Sequence, residues 1–199
     1  MVGRDSNCAR RNLVAVSWPT RLTEVIALNW QESLKQSCRN DDVARRVINA
    51  VEMLLKCDAD LFHVNAAERS ISHRLAVYVE SEFNGWHVDC EYNRSGGAAK
   101  VIPPGSGNDD DEGSRVLPDI VVHRRLERKN HLVFEIKKTS NRDPDKSDIE
   151  KLKAYCTHLS YEHAVFIRFA VNLSDSDVDR AGFVPGVEKA QFVYIDGVQ

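Results

Sequence analysis

Two apolar segments, close together and each ending on ionisable residues, constrain this chain more than any other feature. Residues 117–123 read Leu-Pro-Asp-Ile-Val-Val-His, and residues 132–138 read Leu-Val-Phe-Glu-Ile-Lys-Lys. The polar stretch from Arg124 to Asn130 between them has the length of a hairpin connection. Side chains alternate across a strand, so Val133, Glu135 and Lys137 share one face while Leu132, Phe134 and Ile136 share the other. The second set is a core face. Asp119 opens the first strand on the same face as Val121 and His123. Pairing the two strands through a hairpin brings Asp119 within reach of Glu135.

Two carboxylates converging at the margin of an apolar sheet repel each other unless a cation lies between them. Hard oxygen donors without thiolates suit Mg2+ or Mn2+. A lysine beside such a pair can orient a water or stabilise charge developing on a phosphate. These residues therefore outline a site for metal-dependent phosphodiester hydrolysis. Other readings of the same residues stay open: Asp119 as a surface acid after a proline turn, and Glu135 with Lys137 as an ion pair on one strand face.

Pro118-Asp119 followed by Glu135-Ile136-Lys137 resembles the signature of the PD-(D/E)xK nuclease superfamily, the fold of restriction endonucleases, Holliday-junction resolvases and many defence nucleases. The resemblance covers about residues 65–170. It implies a restriction-endonuclease-like α/β core, with a mixed β-sheet flanked by helices. It also implies a Mg2+- or Mn2+-dependent endonuclease, in which Asp119 and Glu135 hold the metal and Lys137 positions the attacking water. DNA is favoured over RNA as substrate, in restriction, repair or phage defence. Nucleases of this kind usually take a further acid from the helix before the sheet. Glu68, three residues before Ile71 and on the core-facing side of that helix, is the choice here. Asn65-Ala66-Ala67-Glu68 also fits a capping box, in which Glu68 binds the Asn65 amide, and Glu91 is a second competitor for the metal. Arg74, Arg124, Arg125, Lys138 and Lys151 are the candidate phosphate contacts, although Lys151 also fits a plain ion pair with Asp148 one turn earlier. The rival class is a catalytically inactive nucleic-acid- or protein-binding module, or a subunit of a larger complex. A homodimer or a partner subunit is compatible with either.

Composition bounds the rest. A chain of 199 residues, 42% hydrophobic and 29% charged, suits a single domain with one substantial core. The net charge of -3 gives no global nucleic-acid signal, so the signal must be local. Between Arg115 and Arg142 lie eight basic residues against three acidic ones, which sequence order gathers around the candidate site. The five cysteines are scattered without a CxxC pair, so reduced thiols in the cytoplasm are expected rather than zinc fingers or disulfides. No apolar stretch approaches the roughly 20 residues of a membrane helix, and residues 1–11 lack an apolar signal core. Seven histidines without HExxH or HxH spacing argue against a zinc hydrolase.

Periodicity predicts helices over 22–37 and 42–56, forming a helical N-terminal extension across residues 1–60. Asp41 or Asp42 is expected to cap the second helix. A third helix is expected over 66–82, with Ile71, Leu75, Tyr78 and Val79 inward and Gly85 ending it. Residues 86–93 alternate as a strand. The stretch 95–115, rich in glycine and acids, reads as a mobile loop too polar to pack. Strands at 118–123 and 131–137, a helix over 145–158 and a strand over 164–170 follow, making a parallel crossover. A short edge strand is expected at 192–195.

Overall fold

The computed structural model describes residues 29–95, 98–99, 101–102, 114–115, 117–171 and 177–184. Helices α1 (Trp30–Ser37), α2 (Asp41–Cys57), α3 (Asp60–His63) and α4 (Glu68–Glu82) precede the strands. Strand β1 (His87–Cys90) is followed by four two-residue strands, β2 (Arg94–Ser95), β3 (Ala98–Ala99), β4 (Val101–Ile102) and β5 (Ser114–Arg115). Then come β6 (Ile120–Arg124), β7 (Lys129–Lys138), α5 (Asp145–Leu159), β8 (His163–Phe169) and β9 (Val178–Val184). The fold is α/β: a five-stranded mixed sheet in the order β1-β6-β7-β8-β9, flanked by helices. Every neighbouring pair is antiparallel except β7 and β8, which run parallel and are joined through α5.

Strand alternation divides the core as the pattern in β7 requires. Leu132, Phe134 and Ile136 pack with the buried faces of α1, α2 and α4. Val133 packs on the other face with Leu152, Ala154 and Tyr155 of α5. Side chains of this size stabilise a fold by ~1.5–3 kcal/mol each when fully buried. The sheet is thus covered on both faces, and β7 runs through its middle.

Several boundaries differ from the sequence expectation for identifiable reasons. Asn40, not Asp41 or Asp42, caps α2: its side chain accepts from the Asp42 and Val43 amides, which leaves both aspartates in the first turn, where their charge favours the helix dipole. A short helix, α3, occupies part of the break before α4, placing buried Phe62 against Phe169 with ring centroids 5.1 Å apart. Helices α1 and α2 belong to the same buried cluster as the sheet rather than standing apart as an extension. Ser33 Oγ donates to the Ala181 carbonyl at 2.6 Å, tying α1 to β9. That fifth strand lies beyond the stretch expected to form the core, and the strand expected at 192–195 lies outside the described residues, as do 1–28 and most of the 95–115 loop. The described parts of that loop form the ribbons β2–β3 and β4–β5. Ile102 is buried in the cluster under α5, so this part of the loop does pack. Gly85, at φ +84°, ends the turn after α4 in a conformation that favours glycine. Among the described residues no helix is long and apolar enough to cross a membrane.

Candidate functional site

The β6–β7 register pairs Ile120 with Phe134, which sets Asp119 opposite Glu135 one step along. The Ile136 amide donates to Asp119 Oδ2 at 2.7 Å, fixing the carboxylate against the end of β7. Tyr155 of α5 donates its hydroxyl to Glu135 Oε1 at 3.1 Å. Neither Asp119 Oδ1 nor Glu135 Oε2 receives a donor among the described residues. Glu135 is buried and Asp119 half-buried. Burial pushes Asp119 up to about 7, helped by the charges of Glu68 and Asp148 and opposed by the Ile136 amide. Burial also raises Glu135 well above the usual carboxylate range, reinforced by Asp119 and Asp148. Burial, together with Glu135, raises the Tyr155 phenol, which keeps it a donor.

Lys137 leaves the same face of β7 and is 3% exposed. Its Nζ lies 2.7 Å from Asp148 Oδ2, 3.4 Å from the Pro144 carbonyl and 3.9 Å from Asp145 Oδ1. Asp148 Oδ1 also takes Lys151 Nζ at 3.4 Å, the i, i+3 pair expected from α5. Asp148 thus connects the two lysines, and its charge acts on both Asp119 and Glu135. Asp145, in the first turn of α5, is buried between Arg168 and Arg180, each at 2.8 Å.

Glu68 opens α4, and its Oε1 accepts from the Lys138 amide at 3.0 Å and from Asn141 Nδ2 at 3.3 Å. It stands next to the end of β7, close enough for its charge to raise Asp119. The capping box does not form. Asn65 adopts φ +50° and donates its amide to Phe62, and Ala67 is the cap residue, with no side-chain bond. Glu91 turns outward at φ +49° and pairs with Arg69 at 2.7 Å. Glu68, Asp119 and Glu135 do not bring three donor atoms within 4.8 Å of one another. Among the described residues only His131, Glu162 and His163 do so.

The basic residues disperse. Arg124 lies over the Trp86 ring at 5.3 Å, and Arg125 is paired with Asp89. Five residues of β6 separate Arg124 from Asp119, roughly 16 Å at about 3.3 Å per residue, so both arginines sit at the far end of the sheet. Sequence proximity across a hairpin had suggested otherwise, but a hairpin tip and the opposite strand ends are as far apart as the strands are long. Arg74 is bound by Asp58 and Tyr78 beside α3. Lys138 is turned to the α3–α4 connection, with Nζ on Asn65 Oδ1 at 2.9 Å and on the Ala66 carbonyl at 2.6 Å. Of the five candidate phosphate contacts, Lys151 alone stands with the acids. Asp148 and Tyr155 are the participants that pattern reading undervalued. Their signal was the placement of α5 over Val133, which puts residues 148 and 155 on the side facing β7. Compared with protein-family models, curated proteins and solved structures, the chain matches none.

Proposed function

We propose that this protein is a divalent-cation-dependent nuclease that hydrolyses phosphodiester bonds, with DNA the favoured substrate. The observation that carries the proposal is the pair of half-buried Asp119 and buried Glu135 at the end of β7, with Lys137 on the same strand face. The succession α4, β1, β6, β7, α5, β8 supports the restriction-endonuclease-like reading of the core. Four acids, Glu68, Asp119, Glu135 and Asp148, stand with two lysines, Lys137 and Lys151, leaving two negative charges in excess when all are ionised. The donor set fits Mg2+ or Mn2+: it is all oxygen, and Asp119 Oδ1 and Glu135 Oε2 carry no competing donor. Asp119 and Glu135 would hold the ion, with Glu68 beside them. A bound divalent cation would supply charge stabilisation at phosphate and a more acidic water.

The chain's own residues supply the remaining roles. The Ile136 amide and Tyr155 hydroxyl aim the carboxylates. Asp148 holds Lys137 Nζ as a fixed donor at the edge of the site, where it orients water or a phosphate oxygen. Lys151 offers the phosphate contact. The test is incubation with supercoiled, linear and single-stranded DNA and with RNA, in Mg2+, Mn2+ or chelator. Metal-dependent cleavage that is lost in Asp119→Asn and Glu135→Gln supports the proposal, and folded protein that cleaves none of these substrates refutes it. The engagement of Lys137 by Asp148 and of Glu68 by the Lys138 amide favours a second reading, a non-catalytic nucleic-acid- or protein-binding module. Nucleic-acid binding without cleavage would select it.

A further inference from the structure

At the other end of β7 a second constellation has no part in the acid site. We propose that His131, Glu162 and His163 form a binding site for a divalent transition-metal ion of the zinc class. One donor atom from each of the three lies within 4.8 Å of the others. His131 Nδ1 and Glu162 Oε2 are 2.6 Å apart. Two imidazoles and a carboxylate suit zinc, with a fourth position open to water. Tetrahedral coordination with bonds of about 2.0–2.1 Å needs donors ~3.3 Å apart, which modest side-chain rotation reaches from the distances present.

The backbone is built to make this cluster. Val122 pairs with Leu132 but His123 pairs with Asn130, so the register shifts and His131 is the extra residue. Regular alternation would have put His131 on the α5 face with Val133 and Glu135. Instead Asn130 turns to that face and donates to the Leu159 carbonyl at 2.7 Å, while the His131 ring stacks on Trp86 at 4.6 Å. Bulges re-aim side chains in this way and concentrate near functional sites. The parallel register sets His163 beside Leu132, and the Glu162 amide donates to the Asn130 carbonyl at 3.2 Å, so both strand starts are fixed to each other.

The rings are also held in place. His131 meets Phe83 edge-on at 5.9 Å and His163 at 5.4 Å, and His163 meets Phe183 at 6.2 Å. Ordering them on binding therefore costs less than for mobile side chains. Glu162 is exposed, giving an ion access from solvent. Four residues of β7 separate His131 from Glu135, about 13 Å, so the two sites take their ions independently.

The test uses the full chain, stripped with chelator, titrated with Zn2+ by calorimetry and with Co2+ by its visible absorption. His131→Phe keeps a ring on Trp86 but removes the donor, and Glu162→Gln alters an exposed position that leaves the fold untouched. Each should weaken zinc binding by at least about tenfold, the scale of disturbing a metal's support, while Asp119→Asn leaves it unchanged. Zinc affinity equal to the wild type in both His131→Phe and Glu162→Gln, or no zinc binding by the wild type, would overturn the proposal.

Discussion

Asp119→Asn should make the metal-free protein more stable at pH 8, although it removes a central group of the site. Folding raises the Asp119 carboxyl from 3.8 to about 7, so the folded state holds this proton more tightly than the unfolded chain. Below about pH 4 both states carry it, and above about pH 7 neither does. Between those limits stability falls as pH rises. At about 1.4 kcal/mol per pH unit the interval is worth roughly 4 kcal/mol. Asparagine carries no charge at any pH and keeps an oxygen for the Ile136 amide. In chelator at pH 8 it should gain up to about 4 kcal/mol, or roughly 8–16 °C in thermal midpoint for a chain of this size. Near pH 4 the two proteins should agree within about 1 kcal/mol. Added Mg2+ should narrow the gap at pH 8 by binding the wild type alone. Circular dichroism melts from pH 4 to 8, with and without Mg2+, measure all of this. A variant with the wild-type pH profile, or one less stable than the wild type at pH 8, would refute the burial argument.

Lys137→Met keeps the apolar stem but strands Asp148 without its nearest cation; it should abolish cleavage and cost about 3–5 kcal/mol in urea unfolding, the scale for breaking a buried pair. Glu68→Gln retains an oxygen for the Lys138 amide, so its midpoint should move by less than about 0.5 kcal/mol while Mg2+-dependent cleavage falls; normal cleavage would leave Glu68 a purely structural acceptor. Asp145→Asn removes the buried carboxylate that Arg168 and Arg180 share, and denaturant titration should show a loss of about 3–5 kcal/mol.

What the sequence made legible was local and periodic. Alternation in residues 132–138 assigned both faces of β7 correctly, because period-2 burial is a property of the strand alone. Periodicity likewise made the segment of α2 legible as a helix, and its Val43, Val47, Val51 and Leu54 are buried in the core. Illegible features depended on distant partners. Strand β9 contains Ala181 and Gly182, residues with weak strand preference, and is held by α1, 146 positions away, through the bond from the Phe183 amide to Ser37 Oγ. The same holds at the site. Parity gave Glu135 and Lys137 a common face, but it could not say that Asp148 would occupy the lysine or that Tyr155 would meet the glutamate.

Why both constellations lie at the ends of β7 follows from its position. The strand is central, and helices cover both faces, so from Leu132 to Phe134 every side chain is buried and apolar. A polar group in that middle stretch would be desolvated without access to a ligand. Parallel pairing with β8 then requires α5 to start just beyond the carboxyl end of β7. The first turn of α5 therefore delivers Asp145 and Asp148 to Lys137, at the strand ends where ligands of open α/β sheets commonly bind. The opposite end carries the cluster of His131, Glu162 and His163. There the register shift at His123 supplies what alternation denies, turning His131 toward His163. Removing the bulge by deleting one residue of β7 would return the imidazole to the α5 face and leave Glu135 and Lys137 in register, so the two ends of the strand are separable by a single backbone residue.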